Sequence, residues 1–178
     1  MGGADEATDI AGLVVAHHAA VYRYAYRLTG STVDAEDLTQ QAFLIAQENL
    51  AQLADARNAR QWLLSILRRL FWAQQKRGSR FKPQPPKALE DLADPQSARC
   101  ESSWDPERLQ QALDELPPGH RLVIVMFYFE ELSYREIAAE LDLPLGTVMS
   151  RLSRAKAHLR AKLLGEKKVT VFAPRGIR

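Results

Sequence analysis

The chain has 178 residues, and 24 lysines and arginines against 22 aspartates and glutamates leave a formal net charge of only +2. A hydrophobic share of 46% is typical of a folded protein and excludes a disordered tail. The single cysteine excludes an internal disulfide and an all-cysteine zinc site. The acidic start lacks signal-peptide features, and the longest apolar run, residues 122–129, is too short to span a bilayer. We therefore expect a soluble, cytoplasmic protein without direct membrane insertion.

The charge is unevenly distributed along the chain. Residues 56–89 hold 9 basic and no acidic residues, and residues 146–178 hold 9 basic residues and 1 acidic residue. The remaining segments are acidic. Two separate basic blocks suit a protein that neutralises nucleic-acid phosphates, and the alternative is a pair of solvated helix faces.

The first part of the chain shows helical periodicity without strand alternation. Two of the predicted helices cover residues 8–28 and residues 58–77. A further helix is predicted between them from about Asp34, which would cap it together with Asp37. These three helices form a small domain at residues 8–78. Proline, glycine and scattered acidic residues then predict an acidic linker at residues 79–105.

A second helical domain is predicted at residues 106–164, followed by a basic tail at residues 165–178. Its first helix starts near Pro106, and residues 117–119 are predicted to end it. Residues 122–129, LVIVMFYF, have strand propensity. We predict a buried helix there, because the neighbouring segments are helical and no partner strand is found.

The last two predicted helices form a helix-turn-helix that begins at Tyr134 and includes Ser153 and the residues beyond. Ser133 and Glu136 form a capping-box pattern before the first helix, and Thr147 is predicted to cap the second. The second helix is long enough to lie in a major groove. Its outward residues are predicted to include Met149, Ser150, Arg151, Arg154 and Lys156. Arginine and serine there would contact bases and lysine would neutralise phosphate, whereas the alternative is a helical hairpin with a basic face.

The first basic block is interleaved with aromatic residues, Trp62, Phe71, Trp72 and Phe81. Aromatic rings stack on unpaired bases while basic side chains hold the backbone, so the block suits single-stranded nucleic acid. Trp62 and Phe71 also lie at helical spacing with apolar residues, and a core role is their alternative.

Several stretches together resemble bacterial RNA polymerase sigma factors of the extracytoplasmic-function (ECF) group. Residues 34–43, DAEDLTQQAF, are similar to the core-polymerase-binding helix of that family. Residues 62–69, WLLSILRR, are similar to its promoter-melting and minus-ten helix. Residues 116–120, 128–138 and 146–155 are similar to its minus-thirty-five module. The resemblance implies an all-α fold with a sigma two-like and a sigma four-like helical domain joined by a flexible linker.

The resemblance also implies a role for individual residues. Those that would bind core polymerase are Asp34, Asp37, Leu38, Gln40, Gln41 and Phe43. A core role is the alternative for Leu38 and Phe43. Those that would contact the minus-ten element are Asp55, Arg57, Asn58, Arg60, Arg69, Ala73 and Lys76. Those that would contact the minus-thirty-five element are Thr147, Val148, Met149, Ser150, Arg151, Arg154 and Lys156. The linker would thread the polymerase channel or act as a plain tether, and an anti-sigma factor would clamp the two domains.

These features predict a non-enzymatic sigma factor that binds core RNA polymerase and promoter DNA and assists promoter opening. The main alternative is a stand-alone helix-turn-helix repressor or activator. A nucleic-acid-processing enzyme is a further alternative, against which the sequence offers no paired carboxylates near a histidine and no phosphate-binding glycine loop. No cofactor or metal is expected, because His17 and His18 point about 100° apart on a helix. Cys100 is interpreted as an incidental thiol.

Overall fold

The computed structural model describes residues 9–78 and 105–164. Within these ranges the chain forms seven α-helices and two short 3-10 helices, with no strand. The α-helices are α1 (Ile10–Thr29), α2 (Thr32–Glu48), α3 (Ala59–Gly78), α4 (Pro106–Asp114), α5 (Pro118–Phe129), α6 (Tyr134–Leu141) and α7 (Leu145–Leu164). The all-α fold and the helical state of residues 122–129 are confirmed. The predicted roles of the linker, Phe81, Cys100 and the basic tail lie outside the described residues.

The start of α2 differs from the prediction. Ser31 is its N-cap, and the Ser31 Oγ accepts a hydrogen bond of 3.3 Å from the backbone N–H of Asp34. Asp34 therefore lies in the first turn of the helix and is not its cap. Its negative charge interacts favourably there with the positive end of the helix dipole.

Two boundaries in the second half also differ. Pro118 opens α5, because proline fits the first helical position, whose N–H has no partner inside the helix. Residues 117–119 therefore also form the start of α5. The helix α7 begins at Leu145, so Thr147 lies inside its first turn and does not cap it. The backbone N–H groups of Thr147 and Val148 both donate to the Pro144 carbonyl.

The predicted capping box of α6 is confirmed. The Ser133 Oγ accepts from the Glu136 N–H at 3.3 Å, and the Glu136 carboxylate accepts from the Ser133 N–H at 2.7 Å. At the other end Asp142 adopts a left-handed conformation with φ 51°, which ends the helix and turns the chain into α7.

The helices pack as two modules. In the first module α1, α2 and α3 pack on one another, and in the second module α7 packs on α4, α5 and α6. Fully buried core side chains of the first module are Val21, Leu28, Leu38, Leu63 and Leu67. Those of the second are Leu122, Ile124, Met126, Ile137 and Leu152. Helix α1 of the first module also packs on α4 and α5 of the second, a contact that the sequence did not predict.

Gly30 and Arg121 define the contact at the end of α1. Gly30 has φ 71°, a left-handed conformation that disfavours a side chain. A Cβ at this position would also lie 2.2 Å from the Asp114 Oδ1, which is too close. The buried Arg121 guanidinium donates 2.8 Å to the Leu28 carbonyl and 2.7 Å to the Asp114 carbonyl. One side chain thus satisfies carbonyls at the C-terminal ends of both α1 and α4.

Candidate functional site

The outward face of α2 combines acidic, amide and apolar side chains. Asp37, Gln40 and Gln41 are exposed, as is Asp34 at the helix start. At about 100° per residue, positions 33, 37 and 44 fall on one stripe of this face. The stripe carries Val33, which is 65% exposed, and Leu44, which is 60% exposed. An acidic face with exposed apolar side chains has the composition of a docking surface for a protein.

The apolar residues predicted to bind a partner occupy the opposite side of α2. Leu38 is 1% exposed and Phe43 is 8% exposed, and both belong to the core of the first module. The prediction that these two side chains contact a partner is therefore wrong, and their alternative role in the core is correct. Val33 and Leu44 were missed. Their angular positions relative to Asp37 were the signal in the sequence.

The acidic part of α2 also borders a cleft of about 330 Å³ between the modules. Asp34, Asp37 and Gln41 form one wall. The other walls consist of Leu28, Thr29, Phe71, Gln74, Gln75, Pro118 and Arg121. The second module, through α5, therefore approaches the acidic helix directly.

Four of the candidate minus-ten residues lie in the loop before α3 and in the first turn of that helix. Asp55 caps a 3-10 turn, and its carboxylate accepts from the Arg57 N–H at 2.9 Å and pairs with the Arg57 guanidinium at 2.9 Å. Hydrogen bonding to Arg57 lowers the pKa of the Asp55 carboxyl below its ordinary value. Asn58 and Arg60 are exposed beside this pair. Asp55 thus orders the loop, while Arg57, Asn58 and Arg60 remain accessible to a ligand.

On α3, Arg69 and Ala73 are exposed one helical turn apart. An exposed arginine with a small neighbour one helical turn away suits the approach of a flat base. Lys76 lies in the helix, but its side chain is outside the described part of the chain.

Five of the seven candidate residues on α7 lie in three environments. Val148 is fully buried and belongs to the core, so the prediction that its side chain contacts DNA is wrong. Thr147, Met149 and Ser150 are half-buried at the start of the helix, and Ser150 Oγ donates 3.1 Å to the Thr147 carbonyl. Arg154 is exposed in the middle of the helix.

Lys156 lies in an aromatic cage instead of facing outward. Its Nζ is 4.2 Å from the ring centroid of Phe127 and 5.5 Å from that of Tyr134. The same Nζ donates a 3.2 Å hydrogen bond to the Tyr134 hydroxyl. These cation–π and hydrogen-bond contacts connect α7 to α5 and α6. Lys156 therefore fixes the geometry of the helix-turn-helix. Its ammonium group does not point outward, as a contact with DNA phosphate would require.

Arg151 is buried at the contact between the modules. It is 8% exposed, and its guanidinium lies 5.7 Å from the centroid of the Trp72 ring on α3. The prediction that Arg151 points outward is therefore wrong for this arrangement. His120 lies close by, and burial together with the positive charges of Arg151 and Arg154 lowers the pKa of its imidazole.

A buried ion-pair network also joins the modules. Arg68 of α3 pairs with Glu130, which follows α5, and at 3.0 Å with Glu140 of α6. The Tyr24 hydroxyl of α1 donates to the other oxygen of Glu130. Burial, followed by the charge of Glu130, raises the pKa of Tyr24. The helical position of Arg68 between Leu64 and Phe71 on the apolar stripe was a signal of its burial in the sequence.

Comparison with known proteins gives the class of these two modules. A family model described as Sigma-70 region 2 matches residues 13–81, and one described as Sigma-70, region 4 matches residues 107–159. The first match contains α2 and α3, and the second contains the helix-turn-helix. The fold and the site therefore define a transcription-initiation protein of the sigma-70 type.

Individual relatives narrow the class. The chain is 35% identical over 163 residues to the ECF RNA polymerase sigma factor SigL of Mycobacterium tuberculosis, which covers 90% of this chain and 92% of that protein. It is 38% identical over 152 residues to SigE of Mycolicibacterium smegmatis, but spans only 59% of that protein. The sigma factor RpoE of Bartonella quintana, solved with the anti-sigma factor NepR, aligns with a TM-score of 0.61 and 27% identity over 86% of this chain and 96% of that one. The chain belongs to the ECF RNA polymerase sigma factors.

Family membership confirms the predicted function, promoter-directed initiation with core RNA polymerase, and does not favour a stand-alone repressor. Within residues 9–78 and 105–164, no helix has the length and apolar character needed to cross a bilayer. No three histidine, cysteine or acidic side chains in these ranges come together as a metal site would require.

Proposed function

We propose that this chain acts in the cytoplasm as a non-catalytic specificity subunit of RNA polymerase that docks through the outward face of α2. The observation that carries this proposal is the combination of Asp37 with Val33 and Leu44 on that face. Val33 and Leu44 are more than half exposed, whereas Leu38 and Phe43 on the same helix are buried. A repressor that binds DNA alone has no need of an acidic and apolar protein-docking face.

The promoter contacts are assigned to two separate surfaces. Arg57 and Asn58 of the loop, with Arg60, Arg69 and Ala73 of α3, approach the minus-ten element. Arginine and asparagine donors positioned around an open surface suit unpaired bases and their phosphates. Lys76 is assigned to the same surface from its place in the family pattern.

The minus-thirty-five element is assigned to α7. Arg154 is an exposed arginine on this helix and can hold a guanine edge, while Thr147, Met149 and Ser150 lie at the helix start. Val148 supports this surface from the core, and Lys156 holds the helix against α5 and α6.

An anti-sigma factor is the further partner that we assign to this chain. The RpoE relative, which aligns over most of both chains, was solved in complex with the anti-sigma factor NepR. The similarity supports a protein of that functional class as a regulator here.

Run-off transcription with purified core polymerase tests the proposal. We expect the chain to direct initiation at defined start sites, which mapping of the transcripts on genomic DNA would identify. The critical variant is Asp37→Arg, because a reversed charge in a complementary interface weakens binding by several kcal/mol. Capture of core polymerase should fall at least about tenfold, since 1.4 kcal/mol corresponds to a factor of ten.

Glu36→Arg is the matched control. Glu36 is an exposed acid in the same helical turn, but it points about 100° away from Asp37. Equal capture of polymerase by the two variants would contradict docking through this face. Tight, specific duplex binding that core polymerase does not change would contradict the proposed function as a whole.

A further inference from the structure

The basic tail, residues 165–178, follows α7 in the sequence and lies outside the described residues. We propose that in the free chain this tail docks on the start of α2, around Asp34 and Asp37, and that core polymerase must displace it. The competition with polymerase rests on the proposed function of α2. The docking is a contact within the chain, so it can be tested without polymerase.

Contacts in the described part of the chain place the end of α7 near the start of α2. The Lys162 ammonium, in the last turn of α7, lies 2.7 Å from the Glu115 carboxylate. The residue before it, Asp114, packs against Gly30, where an added Cβ would lie 2.2 Å from the Asp114 Oδ1. Gly30 directly precedes Ser31, the N-cap of α2. The tail therefore starts close to the helix that it is proposed to cover.

The tail is long enough to reach this position. It has 14 residues, and an extended chain spans about 3.3–3.6 Å per residue, so the tail can cover up to about 46 Å. The whole of α2 has 17 residues and is about 26 Å long. The tail can therefore reach the start of α2 from the end of α7 without movement of the helices.

Net charge selects this tail among the segments outside the described residues. The sequence of α2 holds four acidic residues and no basic residue. Residues 1–8 hold two acidic residues and no basic residue, and residues 79–104 hold four of each kind. Residues 165–178 hold four basic residues and one acidic residue. The tail is therefore the segment whose net charge is opposite to that of α2, and opposite charges favour docking.

The start of α2 offers an apolar contact and acceptors for a lysine. Val33 is 65% exposed there. Asp34 and Asp37 border the cleft of about 330 Å³, whose wall also includes the Gln41 amide. Carboxylate and amide oxygens accept the hydrogen bonds of an ammonium group. In the tail, two adjacent lysines come shortly before three apolar residues: Lys167, Lys168, Val169, Val171 and Phe172.

The proposed contact leaves the second half of the docking face open. Leu44 lies seven residues beyond Asp37, which is about 10 Å along the helix axis, and stays available to polymerase. Competition is therefore partial. A tail that is docked in two thirds of the molecules raises the apparent Kd for polymerase about threefold, because the apparent Kd is the intrinsic Kd divided by the fraction of competent molecules.

A spin label on the tail of the full chain tests the docking without polymerase. The label is attached at Ala173→Cys in a Cys100→Ser background, since Cys100 is the only cysteine in the sequence. We expect broadening of the backbone amide signals around Asp37 at the start of α2, and little broadening on α6. Lys167→Glu combined with Lys168→Glu should abolish the broadening on α2.

Arg135→Glu combined with Arg160→Glu is the matched control, because it reverses two exposed basic residues outside the tail. It should keep the wild-type broadening. A mixture of spin-labelled chains and isotope-labelled chains without the spin label detects docking between two copies. Equal broadening in this mixture and within one chain would overturn docking within the chain. A folded wild-type chain without broadening on α2 would overturn the proposal as well.

Titration with purified core polymerase is the second readout. We expect the tail variant Lys167→Glu, Lys168→Glu to bind at least about threefold more tightly than the wild type, and the control variant to bind as the wild type. Equal binding would overturn the competition. Weaker binding would overturn it too, and would show that the tail contacts polymerase itself. Failure of the wild type to bind core polymerase would overturn the proposed function, whereas the spin-label result tests the tail alone.

Discussion

Leu44 provides a quantitative test of the docking face on α2. Its side chain is 60% exposed in the free chain and lies on the same stripe as Asp37. Complete burial of a leucine side chain contributes roughly 1.5–3 kcal/mol, so burying the exposed portion against polymerase contributes about 1–2 kcal/mol. Leu44→Ala is therefore expected to raise the Kd for core polymerase about 5- to 30-fold.

The same substitution should leave the fold intact. Alanine has the highest helix propensity, and Leu44 is not part of the buried core, so the free energy of unfolding should change by less than about 0.5 kcal/mol. By contrast, Leu38→Ala on the buried side of α2 should destabilise the chain by roughly 2–5 kcal/mol, because it leaves a cavity. Urea unfolding measures both changes, and titration of a labelled chain with purified core polymerase measures the Kd.

Val15→Ala is the control for Leu44→Ala. Val15 is 87% exposed on α1, so its truncation removes an exposed apolar side chain from another helix. Wild-type affinity of Leu44→Ala for core polymerase would refute the assignment of the docking face. An equal loss of affinity in Val15→Ala and Leu44→Ala would show that the effect is not specific to the α2 face.

Further predictions concern DNA binding and pH. Arg154→Ala should weaken binding of the minus-thirty-five element by about 1–3 kcal/mol in a titration with core polymerase present, while Arg160→Ala, also exposed on α7, should bind as the wild type; equal effects would contradict a base contact. The folded-state pKa of His120 is lowered mainly by burial, so unfolding takes up a proton and stability should fall as the pH drops below about 6.5. The decrease in the urea midpoint at acidic pH should be smaller for His120→Gln than for the wild type. An equal dependence of the midpoint on pH in both chains would exclude His120 as the cause. The pKa of Tyr24 is raised by burial and by Glu130, so stability present at neutral pH should be lost above about pH 10. Tyr24→Phe should lower the free energy of unfolding by about 1 kcal/mol at pH 7. Its melting temperature should decrease less at alkaline pH than that of the wild type, and an identical pH dependence would contradict the role of Tyr24.

The helical elements were predictable because their signals are local. Ser133 and Glu136 are three residues apart, and their capping box formed as the pattern indicated. Residues 122–129 were correctly predicted as a helix from their helical neighbours, although their propensity favoured a strand. The cap of α2 was misplaced by three residues, because Ser31 and Asp34 are both good caps and only the backbone geometry selects one.

The candidate site was predictable in its broad position and less so in the direction of its side chains. The motifs placed the candidate contact residues on α2, α3 and α7, and these helices lie largely within the segments that the family models match. Leu38, Phe43 and Val148 were placed among the contact residues because a motif does not separate residues that touch a partner from residues that support them. Helical periodicity already indicated the buried side for all three.

The sequence by itself determined the all-α fold and the family, since both follow from residues that are close in the chain. Only the tertiary structure decided the environments of Arg68, Arg151 and Lys156. Each is a cation that composition alone predicts to be exposed, and each is paired with groups on a different helix. The partners of Arg68, for example, lie 62 and 72 residues away along the chain. Burial of a charge depends on such distant partners, because the charge is tolerated in a low-dielectric contact only where a compensating group is brought to it.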